Sequence, residues 1–309
     1  MEKVVFVIGP TASGKTEYAI RLAEMLDGEI VSADSMQIYK YMDIGSAKPT
    51  EDERLRIHHY LVDEIDPANS FSAAEYKPLA ERYIDQIIRK GKLPFVCGGT
   101  GLYINSLVYD LDFSAAAGDI KKREELEAQI GQGDPQKLHA HLSSLDPSAA
   151  EAIHPNNTKR ILRAIERLES GIEKELTSFS DCKRNTSAFI PVMIGLQRDR
   201  KALYERINKR VDKLLEAGLV NEVASLMAKG FTETDIAMKG IGYKEIITSI
   251  KNGQPGEAAS ETIKINTRRY AKRQITWFKQ YDTIKWFTLK QDDFEDDVFE
   301  EMLNYIKSV

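Results

Sequence analysis

The sequence is short of cysteine, of long apolar runs and of positive charge, and each shortage removes a class of protein. Its two cysteines, Cys97 and Cys182, lie far apart without a CxxC or CxxH companion. That pattern argues against a disulfide-stapled secreted scaffold or a thiolate zinc site and predicts ordinary reduced thiols in a cytoplasmic protein. The first apolar run, residues 4–8, stops at Gly9 and Pro10, too soon for the apolar region of a secretory signal. No later run approaches the ~20 residues of a membrane span, so no membrane partner is expected. His58 and His59 are adjacent, but neighbours on a strand point to opposite faces and no carboxylate or cysteine spacing completes a metal site around them. Both are expected to be structural.

The net charge of −5 argues at first against a nucleic-acid partner, yet its distribution reverses the argument. Residues 291–309 hold Asp292, Asp293, Glu295, Asp296, Asp297, Glu300 and Glu301 against Lys307 alone, a net of −6, so residues 1–290 sum to +1. Local basic patches fit on such a nearly neutral body. Hydrophobic residues at 42% and charged residues at 29% exclude a disordered chain and a coiled coil. A chain of 309 residues exceeds one ordinary core, which predicts a main domain with a sizeable insertion or extension.

Short apolar runs at 4–8, 29–33, 60–62 and 93–97 alternate with helical periodicity at 16–26 and 73–90. This order predicts an α/β fold with a parallel sheet covered by helices. Further strands are expected at 189–196 and 284–288, with helices at 200–217, 219–229, 257–280 and 293–307 and a glycine turn at 239–244. Between the two halves the apolar spacing is helical over 120–130, 137–145, 147–153 and 157–170. An all-helical insertion domain is therefore predicted at 114–187, with a core formed by 1–113 and 188–309. No internal repeat or low-complexity tract is present.

Gly9, Pro10, Thr11, Ala12, Ser13, Gly14, Lys15 and Thr16 fit GxxxxGK[ST] between an apolar strand and a helix, the context that motif requires. Backbone N–H groups and a helix N-terminus would surround anionic oxygens, Lys15 would add a positive charge, and the Thr16 hydroxyl would join a Mg²⁺ shell. The loop implies a bound di- or triphosphate, as in nucleotide-binding proteins, but not a reaction, because kinases, ATPases and GTPases share it. Asp34 closes the second apolar run and is expected at the carboxyl edge of the sheet, beside the loop. From the residues alone it could ligate Mg²⁺, accept a proton from a nucleophile or cap the next helix. Around 264–279, Lys264, Arg268, Arg269, Lys272, Arg273 and Lys279 form a basic helix, either a phosphate-binding stripe or a solvated face.

These residues resemble the tRNA dimethylallyltransferases, also called tRNA isopentenyltransferases. The resemblance runs through GPTASGKT at 9–16, SADSMQIYKYMDIGSAKPT at 32–50, HHYLVDEIDP at 58–67, FSAAEY at 71–76 and GGTGLYINSL at 98–107. It continues through HPNNTKRILRAIE at 154–166, KGIGYKE at 239–245 and TRRYAKRQITWFK at 267–279. It implies a P-loop kinase-like core whose loop, residues 9–16, holds the diphosphate of dimethylallyl diphosphate with Mg²⁺. The implied reaction moves the dimethylallyl group to N6 of the adenosine next to the anticodon of tRNA, at position 37, and releases diphosphate.

The resemblance further implies that Asp34 is the general base, that Thr100 contacts the target adenosine and that Arg210 holds the donor diphosphate. Arg206, one helical turn earlier, is the competing arginine. To the tRNA anticodon stem-loop the resemblance assigns Asp34, Ser35, Met36, Gln37, Thr100, Arg123, Lys159, Arg160, Ile161, Leu162 and Arg163. It also assigns Lys239, Gly240, Ile241, Gly242, Tyr243, Lys244, Lys272, Arg273, Gln274, Trp277 and Lys279. Trp277 and Phe278 are expected in the helix core rather than as stacking platforms, and a monomer is expected. Competing expectations are a small-molecule kinase using ATP, an RNA-binding P-loop switch, and a prenyltransferase acting on free adenine nucleotide. The insertion and the basic helix disfavour the last.

Overall fold

The computed structural model describes residues 1–109, 125–131, 134–169, 188–290 and 294–309. Arg123 and Cys182 lie outside them, as do residues 120–124 of the helix expected at 120–130. The chain divides into two compact units, one made of Met1–Val108 with Thr186–Val309, the other of Tyr109–Asn185.

The first unit is built on six strands: β1 (Lys3–Ile8), β2 (Gly28–Ala33), β3 (His59–Tyr60), β4 (Leu93–Gly98), β5 (Ile190–Arg198) and β6 (Lys285–Leu289). All pair in parallel in the order β3-β2-β4-β1-β5-β6. The central strands are apolar because helices cover both faces of a parallel sheet; Val4, Val5, Phe6, Val7 and Ile8 are fully buried. The strand register gathers the loops. Ile8 pairs with Gly98 and Ala33 also pairs with Gly98. The chain therefore leaves β1, β2 and β4 at one level, and Gly9, Asp34 and Gly99 emerge side by side at the carboxyl edge, where open α/β sheets bind ligands.

The covering helices are α1 (Lys15–Met25), α2 (Glu51–Arg56), α3 (Ala73–Arg89) and α4 (Gly101–Val108) in the first half of the unit. In the helical unit, α5 (Pro135–Leu145), α6 (Pro147–Ala152) and α7 (Thr158–Glu169) come after one π-turn at Glu127–Gly131. Returning to the first unit, the chain forms α8 (Arg200–Glu216), α9 (Leu219–Ala228), α10 (Tyr243–Lys251), α11 (Ser260–Phe278) and α12 (Asp296–Ser308). Among the described residues no helix is long and apolar enough to cross a membrane.

The expected strands and most expected helices are present, within a few residues. Three helices lie outside the expected set. All but the first two residues of α4 are buried, so it has no amphipathic stripe to be counted. Helix α2 is a six-residue helix closed by a capping box between Thr50 and Glu53. Helix α10 starts at the end of the expected glycine turn: Gly242 has φ 98°, in the left-handed region, and its N–H is capped by Glu245 at 2.7 Å. Helix α12 buries Phe299, Met302, Leu303 and Ile306 and leaves Asp296, Asp297, Glu300 and Glu301 exposed, so these four acids form a solvated face.

The helical unit has its own core. Asp134 caps α5 ahead of Pro135, Asp146 caps α6 ahead of Pro147, and Leu138, Leu142, Ile153, Ile161 and Ile165 pack together behind them.

At the edge of the first unit's sheet, the buried Glu29 carboxylate accepts hydrogen bonds from Tyr60 Oη at 2.7 Å and Lys90 Nζ at 2.8 Å, with Lys92 at 3.2 Å. Burial pushes its pKa up, but these donors outweigh burial and bring it to about 2. A depressed carboxyl pKa stabilises the fold above the unfolded value, near 4.5, and that contribution disappears as pH falls toward 2. Glu29→Gln is expected to lower the melting temperature at pH 7, with the gap to the unmodified protein closing below about pH 4. Thermal unfolding across that range measures it; a gap constant with pH would refute the linkage.

Candidate functional site

The phosphate loop is braced from three directions. Gly9 follows β1 where a Cβ would come within 2.6 Å of the Leu196 carbonyl, so only glycine fits against β5. Arg198 donates to the Ser13 carbonyl and Arg206 to the Ala12 carbonyl, each at 3.0 Å. Gln274, buried on α11, accepts from Thr11 N–H and donates to the Gly99 carbonyl, both at 2.9 Å. Arg206 thus shapes the loop backbone. Gln274, assigned to tRNA by resemblance, ties the loop to the turn after β4.

Around the loop lies a cavity of about 300 Å³. Lys15, Asp34 and Arg210 line it within electrostatic reach of one another; Val211, Leu214, Leu219 and Ile263 add apolar wall, and the lining residues Lys239, Lys244 and Arg273 are exposed. Burial lowers the pKa of both Lys15 and Arg210, opposed in each case by the Asp34 carboxylate. Arg210 has no hydrogen-bond or ion-pair partner among the described residues. A guanidinium partly withdrawn from water without a partner carries a desolvation cost, which an anion in the cavity would relieve. Of the two candidate arginines, Arg210 faces the cavity and Arg206 faces the loop.

Asp34 caps a turn and not the next helix, which begins at Glu51 and is capped by Thr50. Its Oδ1 accepts from Met36 N–H at 2.9 Å and from Gln37 N–H at 3.4 Å. The other carboxylate oxygen has no hydrogen-bond partner among the described residues. Thr100 supports the same turn, accepting from Ser35 N–H at 3.0 Å. In this structure Thr100 acts through the Asp34 turn and is not part of the cavity wall. Tyr270 is a wall residue that sequence reasoning missed. Burial raises its phenol to about 12, with the Asp34 charge adding to the rise and hydrogen bonds to Thr100 and Gln274 opposing it.

The remaining expected residues separate into wall, brace and surface. Ser35, Met36, Lys239, Gly240, Ile241, Gly242 and Lys244 line the cavity. Gln37 spends its amide inside the protein, accepting from Ser32 Oγ at 3.0 Å and donating to the Ala47 carbonyl at 3.1 Å. Tyr243 is buried, with its hydroxyl donating to Glu222 at 2.7 Å. Trp277 packs over Gly101, where a Cβ would meet its ring at 2.3 Å, and donates to Asn105 Oδ1 at 3.3 Å; Phe278 is core. On the basic helix, Lys264 pairs with Asp212 and Glu261, and Arg268 donates to Asn208. Arg269, Lys272, Arg273 and Lys279 remain exposed. In the helical unit, Ile161 and Leu162 are core, while Lys159, Arg160 and Arg163 are exposed on α7.

One carboxylate holds the wall that Gly45 and Ser46 contribute. Glu222 on α9 accepts from Asp43, Ile44 and Gly45 N–H at 2.8, 2.7 and 3.0 Å, besides Tyr243 Oη. Glu222→Gln turns one accepting oxygen into a donor that faces these N–H groups, and is expected to cost about 1–3 kcal/mol of stability. Tyr243→Phe should cost less, because three backbone donors remain. Denaturant unfolding of both variants measures the order, and equal losses would refute it.

A recess of about 50 Å³ adjoins the cavity on the Thr16 side, lined by Lys15, Thr16, Asp34, His59, Cys97 and Arg210 among others. Burial pushes the Cys97 thiol up to about 11, which keeps it protonated. Among the described residues no group of three or more His, Cys, Asp or Glu could form a metal cage. The Thr16 hydroxyl and Asp34, both lining the recess, would fit a Mg²⁺ that takes most of its ligands from phosphate oxygens and water.

Fold and site together define a P-loop α/β protein in which the phosphate-loop motif shares a cavity with a carboxylate that has one oxygen free of hydrogen bonds from the described residues and with a half-buried arginine. The IPP transferase family model matches residues 37–281. The tRNA dimethylallyltransferase of Clostridioides difficile is 48% identical over 309 residues, spanning 99% of this chain and 99% of that protein. That of Acetivibrio thermocellus is 47% identical over 306 residues, with 99% and 98% covered. The solved full-length tRNA isopentenylpyrophosphate transferase of Bacillus halodurans matches with TM-score 0.74 at 40% identity, over 100% of this chain and 96% of that one. A eukaryotic dimethylallyltransferase acting on tRNA matches with TM-score 0.78 at 28% identity, over 93% of this chain and 74% of that one. This chain belongs to the IPP transferase family. None of these relatives supports the kinase expectation.

Proposed function

We propose that the protein transfers a dimethylallyl group from dimethylallyl diphosphate to N6 of the adenosine beside the anticodon of tRNA, position 37, and releases diphosphate. The observation that carries this reading is the half-free Asp34 carboxylate within electrostatic reach of Lys15 and Arg210 in one cavity. A proton acceptor and two cations around one space suit a reaction that releases a proton from its nucleophile and an anion from its donor.

In this reading N6 attacks the allylic carbon, a C–N bond forms, and the C–O bond to diphosphate breaks with its electron pair leaving on oxygen. The N6 proton passes to Asp34. Lys15 and Arg210 bind the departing diphosphate, with the N–H groups of residues 9–16 around it. Mg²⁺, held by the Thr16 hydroxyl and diphosphate oxygens, would neutralise part of the leaving-group charge. The apolar wall of Val211, Leu214, Leu219 and Ile263 offers a dry surface to the prenyl chain. An adenosine stacked in an anticodon loop has to be extruded to reach this cavity. Lys239, Lys244, Lys272, Arg273 and Lys279, and separately Lys159, Arg160 and Arg163 on the helical unit, supply phosphate contacts to the RNA.

Incubation with Mg²⁺, dimethylallyl diphosphate and unmodified tRNA, followed by digestion and mass analysis of nucleosides, tests the reading. Prenylated adenosine together with stoichiometric diphosphate is expected. Its absence, or consumption of ATP in its place, would overturn the proposal.

A further inference from the structure

His59 begins in the sequence as half of an adjacent histidine pair with no ligand spacing, and the structure separates the two. His58 packs edge-on against Tyr60, with ring centroids 4.3 Å apart. His59 enters the recess beside the phosphate loop. Its Nδ1 lies 2.7 Å from the Ile57 carbonyl, which can only accept, so Nδ1 carries the proton. Nε2 is then left with a lone pair. That atom is buried and has no hydrogen-bond partner among the described residues.

A buried acceptor in a phosphate site raises the question of what donates to it. Diphosphate oxygens cannot, since they too are acceptors. Burial keeps the imidazole pKa below its ordinary value, which maintains the unprotonated Nε2 at neutral pH. The chemistry that fits is a water polarised by a divalent cation: Mg²⁺ retains several of its waters when it binds phosphates, and such waters are strong donors. The recess, at about 50 Å³, holds water-sized occupants and is lined by Thr16, Asp34 and Lys15 together with His59.

We infer that His59 is a positioning residue for the divalent cation, its Nε2 accepting a hydrogen bond from a water of the cation's shell on the Thr16 side of the diphosphate. The inference rests on the proposed binding of diphosphate and cation at this loop. His59 touches neither the prenyl carbon nor the adenosine; it orients the cation shell, a role whose loss typically costs 10- to 100-fold in metal affinity.

The test uses the full chain with inorganic diphosphate as the anion and Mn²⁺ as a spectroscopic substitute for Mg²⁺. Free Mn²⁺ is followed by electron paramagnetic resonance as it is titrated into the protein–diphosphate complex. His59→Phe is expected to weaken Mn²⁺ binding by about 10-fold or more, while diphosphate affinity in chelator stays unchanged and His59→Gln, which returns an acceptor at similar reach, restores part of the loss. Unchanged Mn²⁺ affinity in His59→Phe would overturn the inference, and so would an equal loss of diphosphate affinity without metal, which marks a direct contact. In the unsubstituted protein, the ¹⁵N resonance of His59 Nε2 should shift on adding Mg²⁺ to the diphosphate complex, and no shift would also overturn it. Failure of the unsubstituted protein to bind diphosphate at all would instead remove the broader reading on which the inference stands.

Discussion

Asp34→Asn is expected to reduce turnover by about 100- to 10,000-fold, the range that general-base catalysis supplies, with tRNA binding nearly unchanged. The substitution is chosen for what it preserves. An asparagine Oδ1 still accepts from Met36 and Gln37 N–H, so the turn after β2 keeps the hydrogen bonds it has in the structure. What disappears is the negative charge and the proton-accepting oxygen that no described residue occupies. Single-turnover transfer to tRNA measures the step, and a binding assay with the same RNA measures the control. Normal turnover with weakened RNA binding would remove Asp34 from the chemistry and leave it a turn residue.

The second large effect concerns Arg210, where activity and stability are expected to move in opposite directions. A half-buried guanidinium without a hydrogen-bond or ion-pair partner among the described residues costs the free protein stability, and in the proposed reaction it would meet the donor's diphosphate. Arg210→Met should therefore lower kcat by about 100- to 1,000-fold, as for loss of one donor to a developing oxyanion, and weaken the binding of inorganic diphosphate. The melting temperature of the free protein should stay level or rise. Arg210→Lys should recover only part of the activity, since an ammonium cannot reproduce the planar fork. A substantial fall in melting temperature with activity retained would mean that Arg210 is structural. Arg206→Met should behave differently, because Arg206 holds the Ala12 carbonyl and its loss perturbs the loop itself.

The legible part of this site is the part that is short in sequence. The P-loop can be read because its work is done by consecutive backbone N–H groups and a helix start, which eight residues specify between them. Asp34 can be read as a strand-end carboxylate, and the alternatives for it stay open because cap, ligand and base need the same residue at the same place. The structure adds that one oxygen caps while the other is free of hydrogen bonds from the described residues. Residues 268–273 illustrate the reverse. They read as part of one basic helix, but Arg268 is tied to Asn208 while Arg273 lines the cavity, and the neighbouring Gln274 turns inward to brace residues 11 and 99.

Glu222 carries no signal in the sequence at all. An acidic residue on an amphipathic helix is ordinary, and its value lies in meeting three amides of residues 43–45, nearly 180 positions away. Tyr270 and the Nε2 of His59 are hidden for the same reason: a side chain's role depends on what other segments leave unsatisfied around it.

The sequence by itself determined the class of fold, the phosphate loop and the family, because periodicity and contiguous motifs act over a few residues and survive without knowledge of the rest. Only the tertiary structure decided which of the paired candidates faces the cavity. The parallel register brings Ile8, Ala33 and Gly98 to one level. From that level, packing turns Arg210 toward the cavity and Arg206 toward the loop, through contacts between segments far apart in the chain.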